Sequence, residues 1–278
     1  MGITNNSWRR KYTFIGKDKI AYLDMGKGET VICIPSWPAP ASVFIPLYKA
    51  LTKDIRLIAV DLPGWFGYSK SKDRSSDLGF YKDMLIRFVK KIKPNRINLL
   101  GFSMGGMIAQ LVTGSNALKV NKTIIISSPN DMGLVYKSHM AGLNLYKTIR
   151  NLRISDKLKI SIFRAVVWKN IKNESRTIIS KTPTIISDFK NGIRYLKINE
   201  IFEMIIKHRD FRIDIDRLKR RKILVIYGDN EPEYIIKGGE EFNRNKEIKT
   251  VVLNGLNHEH LITNADESAR EIEAFMNI

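Results

Sequence analysis

The sequence predicts an α/β protein, a mostly parallel central sheet flanked by helices, with a helical unit inserted into it. Short β-branched runs alternate with longer amphipathic ones, the pattern of buried strands and crossover helices. From about Gly133 to Arg221 that rhythm stops: Lys, Arg and Ile dominate and no buried strand is evident. The chain has 278 residues, of which 44% are hydrophobic and 9% aromatic, enough to bury a sizeable core and exclude global disorder.

The elements follow in order. A hairpin is expected from Lys11–Ile15 and Lys19–Asp24, joined through Gly16-Lys17-Asp18. Buried strands are expected at Thr30–Ile34, Ile55–Asp61, Ile97–Gly101, Lys122–Ser127, Lys222–Gly228 and Lys249–Leu253, short runs too apolar to face water on either side. Helices are expected at Val43–Leu51, Leu78–Lys91, Met104–Ser115 and Asp266–Met276. Asn264 and Glu267 have the spacing of a capping box at the start of the last one. Inside the insertion, Ser155–Asn170 and Lys190–His208 read as amphipathic helices. No apolar run is long enough to span a bilayer, and the N-terminal segment lacks the apolar core of a signal peptide, so a cytoplasmic location is expected. Gly2 does not complete a myristoylation signal, because Asn6 occupies the position that needs Ser or Thr. The single cysteine, Cys33, excludes an intramolecular disulfide framework and any cysteine-built metal site.

One segment carries chemistry. Arg96 to Gln110 reads as an apolar strand, a Gly101-Phe-Ser103-Met-Gly105 turn and an apolar helix in immediate succession. A sharp strand-to-helix turn leaves no room for side chains at Gly101 and Gly105, and it holds the Ser103 hydroxyl clear of the backbone at a helix N-terminus. There the Met104 amide can help bind an oxyanion. A serine hydroxyl needs a base to take its proton. His139 and His208 fall on helical stretches of the insertion, where packing or solvation is the commoner role. His258 and His260 lie in the loop after the last strand, at the sheet edge where a base could reach Ser103. The base in turn needs an orienting carboxylate. Asp229 and Glu231 follow the penultimate strand, before Pro232 marks an exit into a loop, and either could serve; Asp131 is an outsider.

These pieces together resemble the α/β-hydrolase fold superfamily over nearly the whole chain outside the insertion. The matching segments are Gly101-Phe-Ser103-Met-Gly105-Gly106 as nucleophile elbow, Asp61-Leu-Pro-Gly64, Ile223 to Gly228 leading to the acid, and His258 before the closing helix; the order Ser, acid, His is the family's. The family's acid commonly falls three residues after the strand-end glycine, which favours Glu231 over Asp229. Its spacing to the final helix favours His258 over His260. The resemblance makes residues 133–221 a helical cap, or lid, on a core of residues 1–132 and 222–278.

Two departures stand out. Where the family usually has His-Gly after its first buried strand, this chain has Pro35-Ser36. The glycine normally allows the tight path that turns the next amide, here that of Trp37, into the oxyanion hole. Ser36 is expected to follow that path only at a strain cost of about 1–3 kcal/mol, and losing one oxyanion donor would slow the reaction roughly 10²- to 10³-fold. Secondly, Asp61 to Ser69 has one residue more between its glycines than the usual pattern, which leaves the shape of that pocket-bordering loop open.

The resemblance implies a serine hydrolase that cleaves an ester, thioester or related acyl compound through an acyl-enzyme. Ser103 would be the nucleophile, His258 the base, Glu231 its orienting acid, and Trp37 and Met104 the oxyanion donors, with no metal or organic cofactor. Serine at position 103 argues against the carboxylate nucleophile of dehalogenases and epoxide hydrolases of this fold. Alternatives are a lyase or acyl transferase with the same constellation, or a non-catalytic binding or signalling member with a degraded oxyanion motif. Of the formal charge of +19, residues 133–222 carry +14, from 22 Lys and Arg against 8 Asp and Glu. Nucleic acid is not expected as a partner, since zinc-finger spacing, aromatic-basic interleaving and a basic tail are all missing. The basic insertion reflects either a general bias toward Lys and Ile or attraction of an anionic small-molecule acyl substrate. Phe163, Trp168 and Tyr195 are candidate cap contacts, with core packing the competing role. The Ser155–Asn170 helix could touch an acidic membrane peripherally, although such helices more often pack down on the core.

Overall fold

The computed structural model describes residues 8–71, 77–155, 158–159, 161–162, 165, 183–192 and 198–277. Eight strands form one sheet: β1 (Lys11–Ile15), β2 (Asp18–Met25), β3 (Glu29–Ile34), β4 (Ile55–Val60), β5 (Ile97–Phe102), β6 (Val120–Ile126), β7 (Lys222–Gly228) and β8 (Lys249–Leu253). Their order is β1-β2-β4-β3-β5-β6-β7-β8. The β1–β2 hairpin and the β2–β4 pair are antiparallel, and every later pairing is parallel. Each expected strand is present, with ends shifted by at most two residues.

The inner parallel strands β3 to β7 are apolar on both faces because both faces are covered; Lys249–Leu253, expected to be buried, is instead the edge strand β8, with Val252 42% exposed. Along β3, Ile32 and Ile34 join one buried cluster while Val31 and Cys33 join the other. The first cluster includes α2 (Leu78–Ile92) and α3 (Met104–Gly114); the second includes α1 (Ile45–Ala50) and the C-terminal α10 (Ala265–Met276). The helix expected at Val43–Leu51 begins instead as a 3-10 turn over Ala41–Phe44 that runs into α1. The capping box expected at the C-terminal helix is not formed. Asn264 makes no side-chain cap bond; it ends the one-turn helix α9 (His260–Thr263), and its backbone N–H bonds back to the His260 carbonyl.

Between β6 and β7 lie α4 (Met132–Ser138), α5 (Met140–Asn151), α6 (Pro183–Gly192) and α7 (Ile198–Lys207). The helix expected over Lys190–His208 is helical where it is described, at the end of α6 and in α7; residues 193–197 lie outside the described residues. Most of the helix expected over Ser155–Asn170 lies outside the described residues, as do Phe163, Trp168 and Tyr195. Where the sequence pointed to a loop after Pro232, the chain enters α8 (Glu233–Asn243) with Pro232 at its N-cap. Among the described residues no helix is long and apolar enough to cross a membrane.

Candidate active site

The sheet order brings the C-terminal ends of β5, β6, β7 and β8 side by side, and each delivers a polar side chain to one edge. Ser103 follows β5 with φ 54° and ψ −122°, outside the ordinary wells for an L-residue. The turn is held by the Ser103 N–H bonding to Ile126 O and by the Gly106 N–H bonding to Ser103 O. Its glycines are demanded by close approach: a Cβ on Gly101 would lie 2.3 Å from Gly105 O, and one on Gly105 would lie 2.1 Å from Ile34 O.

His258 bridges the serine and an acid. Its Nε2 lies 3.1 Å from Ser103 Oγ, and its Nδ1 lies 2.8 Å from Glu231 Oε2. The ring also stacks on Phe102, with centroids 5.3 Å apart. The acid's other oxygen, Oε1, accepts from the Gly228 N–H at 2.9 Å and from the Ser127 hydroxyl at 2.5 Å. Burial alone would raise the Glu231 pKa, but the His258 bond and charge and the other two donors outweigh it and hold the carboxyl below its usual range.

The remaining candidates have other duties. Asp229 Oδ1 accepts from the Gly255 N–H in an exposed turn, and Asp131 caps α4 through Gly133 and Leu134. His139 bonds the Val135 carbonyl, and His208 lies 3.5 Å from Asp77. His260 is fully buried behind Glu231, its Nε2 2.9 Å from Ser127 Oγ and its Nδ1 3.1 Å from Ser268 Oγ. Burial lowers its pKa to about 4. Ser127 was not singled out by sequence, since a serine at a strand end carries no signal until the neighbouring strand is known.

The backbone amides of Trp37 and Met104 have no hydrogen-bond acceptor among the described residues. Ser36 is not among the positive-φ residues, so the strain expected there is not stored. The Asp61–Ser69 loop is well anchored. Ser69 Oγ donates to Asp61 O and accepts from the Ala21 N–H, Trp65 bonds Tyr81, and Phe66 meets Phe189 of α6 edge-on. Asp61 accepts from the Ala41 N–H and from Arg10, which also pairs with Asp188 of α6 and stacks on Tyr68. This buried charge cluster ties the insertion to the sheet, and nothing in the sequence announced it. Among the described residues no group of three or more His, Cys, Asp or Glu could hold a metal.

A sharp serine turn at the C-terminal edge of a largely parallel sheet, with an acid and a histidine delivered by the last two strands, defines a class of protein. The chain belongs to the alpha/beta hydrolase fold family, whose model matches residues 29–265. It is 30% identical over 141 residues to "Monoacylglycerol lipase abhd6-B" of Xenopus laevis, covering 46% of this chain and 41% of that protein. It is 28% identical over 103 residues to "Pimeloyl-[acyl-carrier protein] methyl ester esterase" of Aeromonas hydrophila, covering 37% and 39% respectively. The matches thus span well under two thirds of these relatives' length. Among solved structures, bromoperoxidase from Bacillus anthracis superposes with a TM-score of 0.73 at 17% identity, over 97% of this chain and 100% of that one, a likeness of fold.

Proposed function

We propose that the protein is a serine hydrolase that cleaves an ester, thioester or related acyl compound, with residues 133–221 as a cap on a core of residues 1–132 and 222–278. The observation that carries this reading is the continuous contact from Ser103 Oγ through His258 to Glu231, at 3.1 and 2.8 Å, both within hydrogen-bond reach. As the Ser103 oxygen bonds the substrate carbonyl carbon, its proton passes to His258 Nε2. The carbonyl π electrons move onto oxygen, where the unpaired amides of Trp37 and Met104 are the available donors. Collapse breaks the bond to the leaving group, which takes the proton back from His258. Water, deprotonated by the same imidazole, then attacks the acyl carbon and releases the acid and free Ser103. Glu231 keeps the His258 Nδ1 hydrogen directed at itself and stabilises the imidazolium. Relatives named as a monoacylglycerol lipase and a methyl ester esterase support esters as the substrate class.

Fluorophosphonate labelling tests the reading. An adduct on wild type that is lost in Ser103→Ala, together with turnover of p-nitrophenyl esters or acyl thioesters of graded length, is the expected result. No adduct on the folded wild type, or an equal adduct on Ser103→Ala, would overturn it.

A further inference from the structure

Behind the acid lies a second Ser-His pair that the proposed reaction does not use. Ser127, His260 and Ser268 are all buried to 0% exposure, so none can meet substrate. Their geometry places the proton between Ser127 and His260, and complete burial, which penalises an imidazolium, leaves the ring neutral. An ionised carboxylate only accepts, so Ser127, 2.5 Å from Glu231 Oε1, spends its one hydrogen there. Toward His260 Nε2, 2.9 Å away, Ser127 Oγ can then only accept, so the hydrogen between them belongs to Nε2. In a neutral ring Nδ1 is then an acceptor, and the Ser268 hydroxyl at 3.1 Å supplies its hydrogen.

We infer that Ser268, His260 and Ser127 form a one-way hydrogen-bond chain that positions Glu231, with His260 neutral and protonated on Nε2. Every hydrogen in the chain points at the carboxylate, an arrangement in which successive bonds polarise one another in the same sense. The consequence is a division of labour between the two Glu231 oxygens. Oε1 is anchored by Ser127 and the Gly228 amide, which leaves Oε2 for His258 alone. A glutamate needs such an anchor because its long side chain has up to about 2 kcal/mol of rotamer freedom to lose. Ser127 is not a second nucleophile, because at 0% exposure no substrate can reach its oxygen.

This role rests on Glu231 orienting His258, so its test must separate the two. Wild type, Ser127→Ala, His260→Leu and His260→Gln would be compared for kcat, KM and Ser103 labelling, and the His260 tautomer read from two-bond ¹⁵N–¹H correlations in histidine-labelled protein. The Gln amide offers a donor on one side and an acceptor on the other, as the neutral ring does. Ser127→Ala and His260→Leu should lower kcat by about 10- to 100-fold at unchanged KM, the scale of a displaced catalytic group. His260→Gln should retain kcat within a few-fold, and His260 should be the neutral Nε2–H form near neutral pH. Wild-type kcat in Ser127→Ala, or a His260 that is charged or protonated on Nδ1 alone, would overturn the inference while leaving the nucleophile reading standing. A folded wild type that takes no label would instead overturn the catalytic reading and the positioning role with it.

Discussion

His260 should make the stability of this protein depend on pH in a window where most of its charged groups do not titrate. Its pKa falls from an ordinary 6.5 to about 4, first because burial penalises the imidazolium and also because His258 lies nearby, against the opposing pull of Glu231. Above about pH 6.5 neither the folded nor the unfolded chain holds a proton there, and below about pH 4 both do. Between those limits the unfolded chain binds a proton that the folded one refuses, so stability falls as pH falls. The full shift corresponds to about 3 kcal/mol, of which about 2 kcal/mol is expressed by about pH 5. Urea unfolding of wild type and His260→Gln at about pH 7.5 and about pH 5, with linear extrapolation, reads the difference directly. Glu231, held below its usual range, stays ionised in the folded state throughout this interval. His208, whose pKa burial also lowers, is present in both proteins and cancels. Wild type should lose about 2 kcal/mol more than the variant between the two pH values. Parallel losses would refute the claim that His260 is buried neutral.

Two further outcomes follow from the site and from the insertion. In Gly105→Ala the new Cβ would meet only backbone, at 2.1 Å from Ile34 O and 2.6 Å from Pro35 O, so β3 must move. A cost of about 1–3 kcal/mol in unfolding free energy and a fall in kcat of about 10²-fold are expected. Gly16→Ala, whose Cβ would meet nothing within 4 Å, should keep wild-type kcat. If the excess positive charge of residues 133–222 draws in acidic substrates, kcat/KM for negatively charged esters should fall between low salt and about 0.15 M, where the screening length is about 8 Å, while neutral esters hold theirs.

The parallel sheet was legible because fully buried strands leave a compositional trace: runs such as Val31–Ile34 and Ile223–Ile226 can sit nowhere but in a core. The elbow was legible because its glycines answer to backbone contacts that no other residue permits. The α8 helix was not, because Gly238-Gly239 breaks its helical pattern. That pair is there to let the helix close on β7, where a Cβ at Gly239 would lie 2.2 Å from the Tyr227 ring. Ser127 and the Arg10–Asp61–Asp188 cluster were illegible for a different reason. Their partners lie 51 to 178 positions away, and only the sheet order and the docking of α6 bring them together. Asp229 and Glu231, two residues apart, were separable only through a family spacing. The physical difference is that Glu231 points back to the Gly228 amide and Ser127, while Asp229 turns out to cap the Gly255 turn.

Reading Pro35-Ser36 as damage to the oxyanion hole assumed that the backbone there needs a glycine conformation. Ser36 has no positive φ, so replacing glycine incurs no left-handed penalty. The tight constraint falls instead on the opposite wall: Gly105 has no side chain, so the carbonyls of Ile34 and Pro35, just before Ser36 and Trp37, can lie against the elbow. Asp61 adds a second tether by accepting the Ala41 N–H at the far end of the same loop. With the loop fixed at both ends by contacts other than those of residue 36, the departure from His-Gly no longer argues for a non-catalytic protein. The strain argument for that alternative falls away, and labelling of Ser103 decides between it and the proposed serine hydrolase.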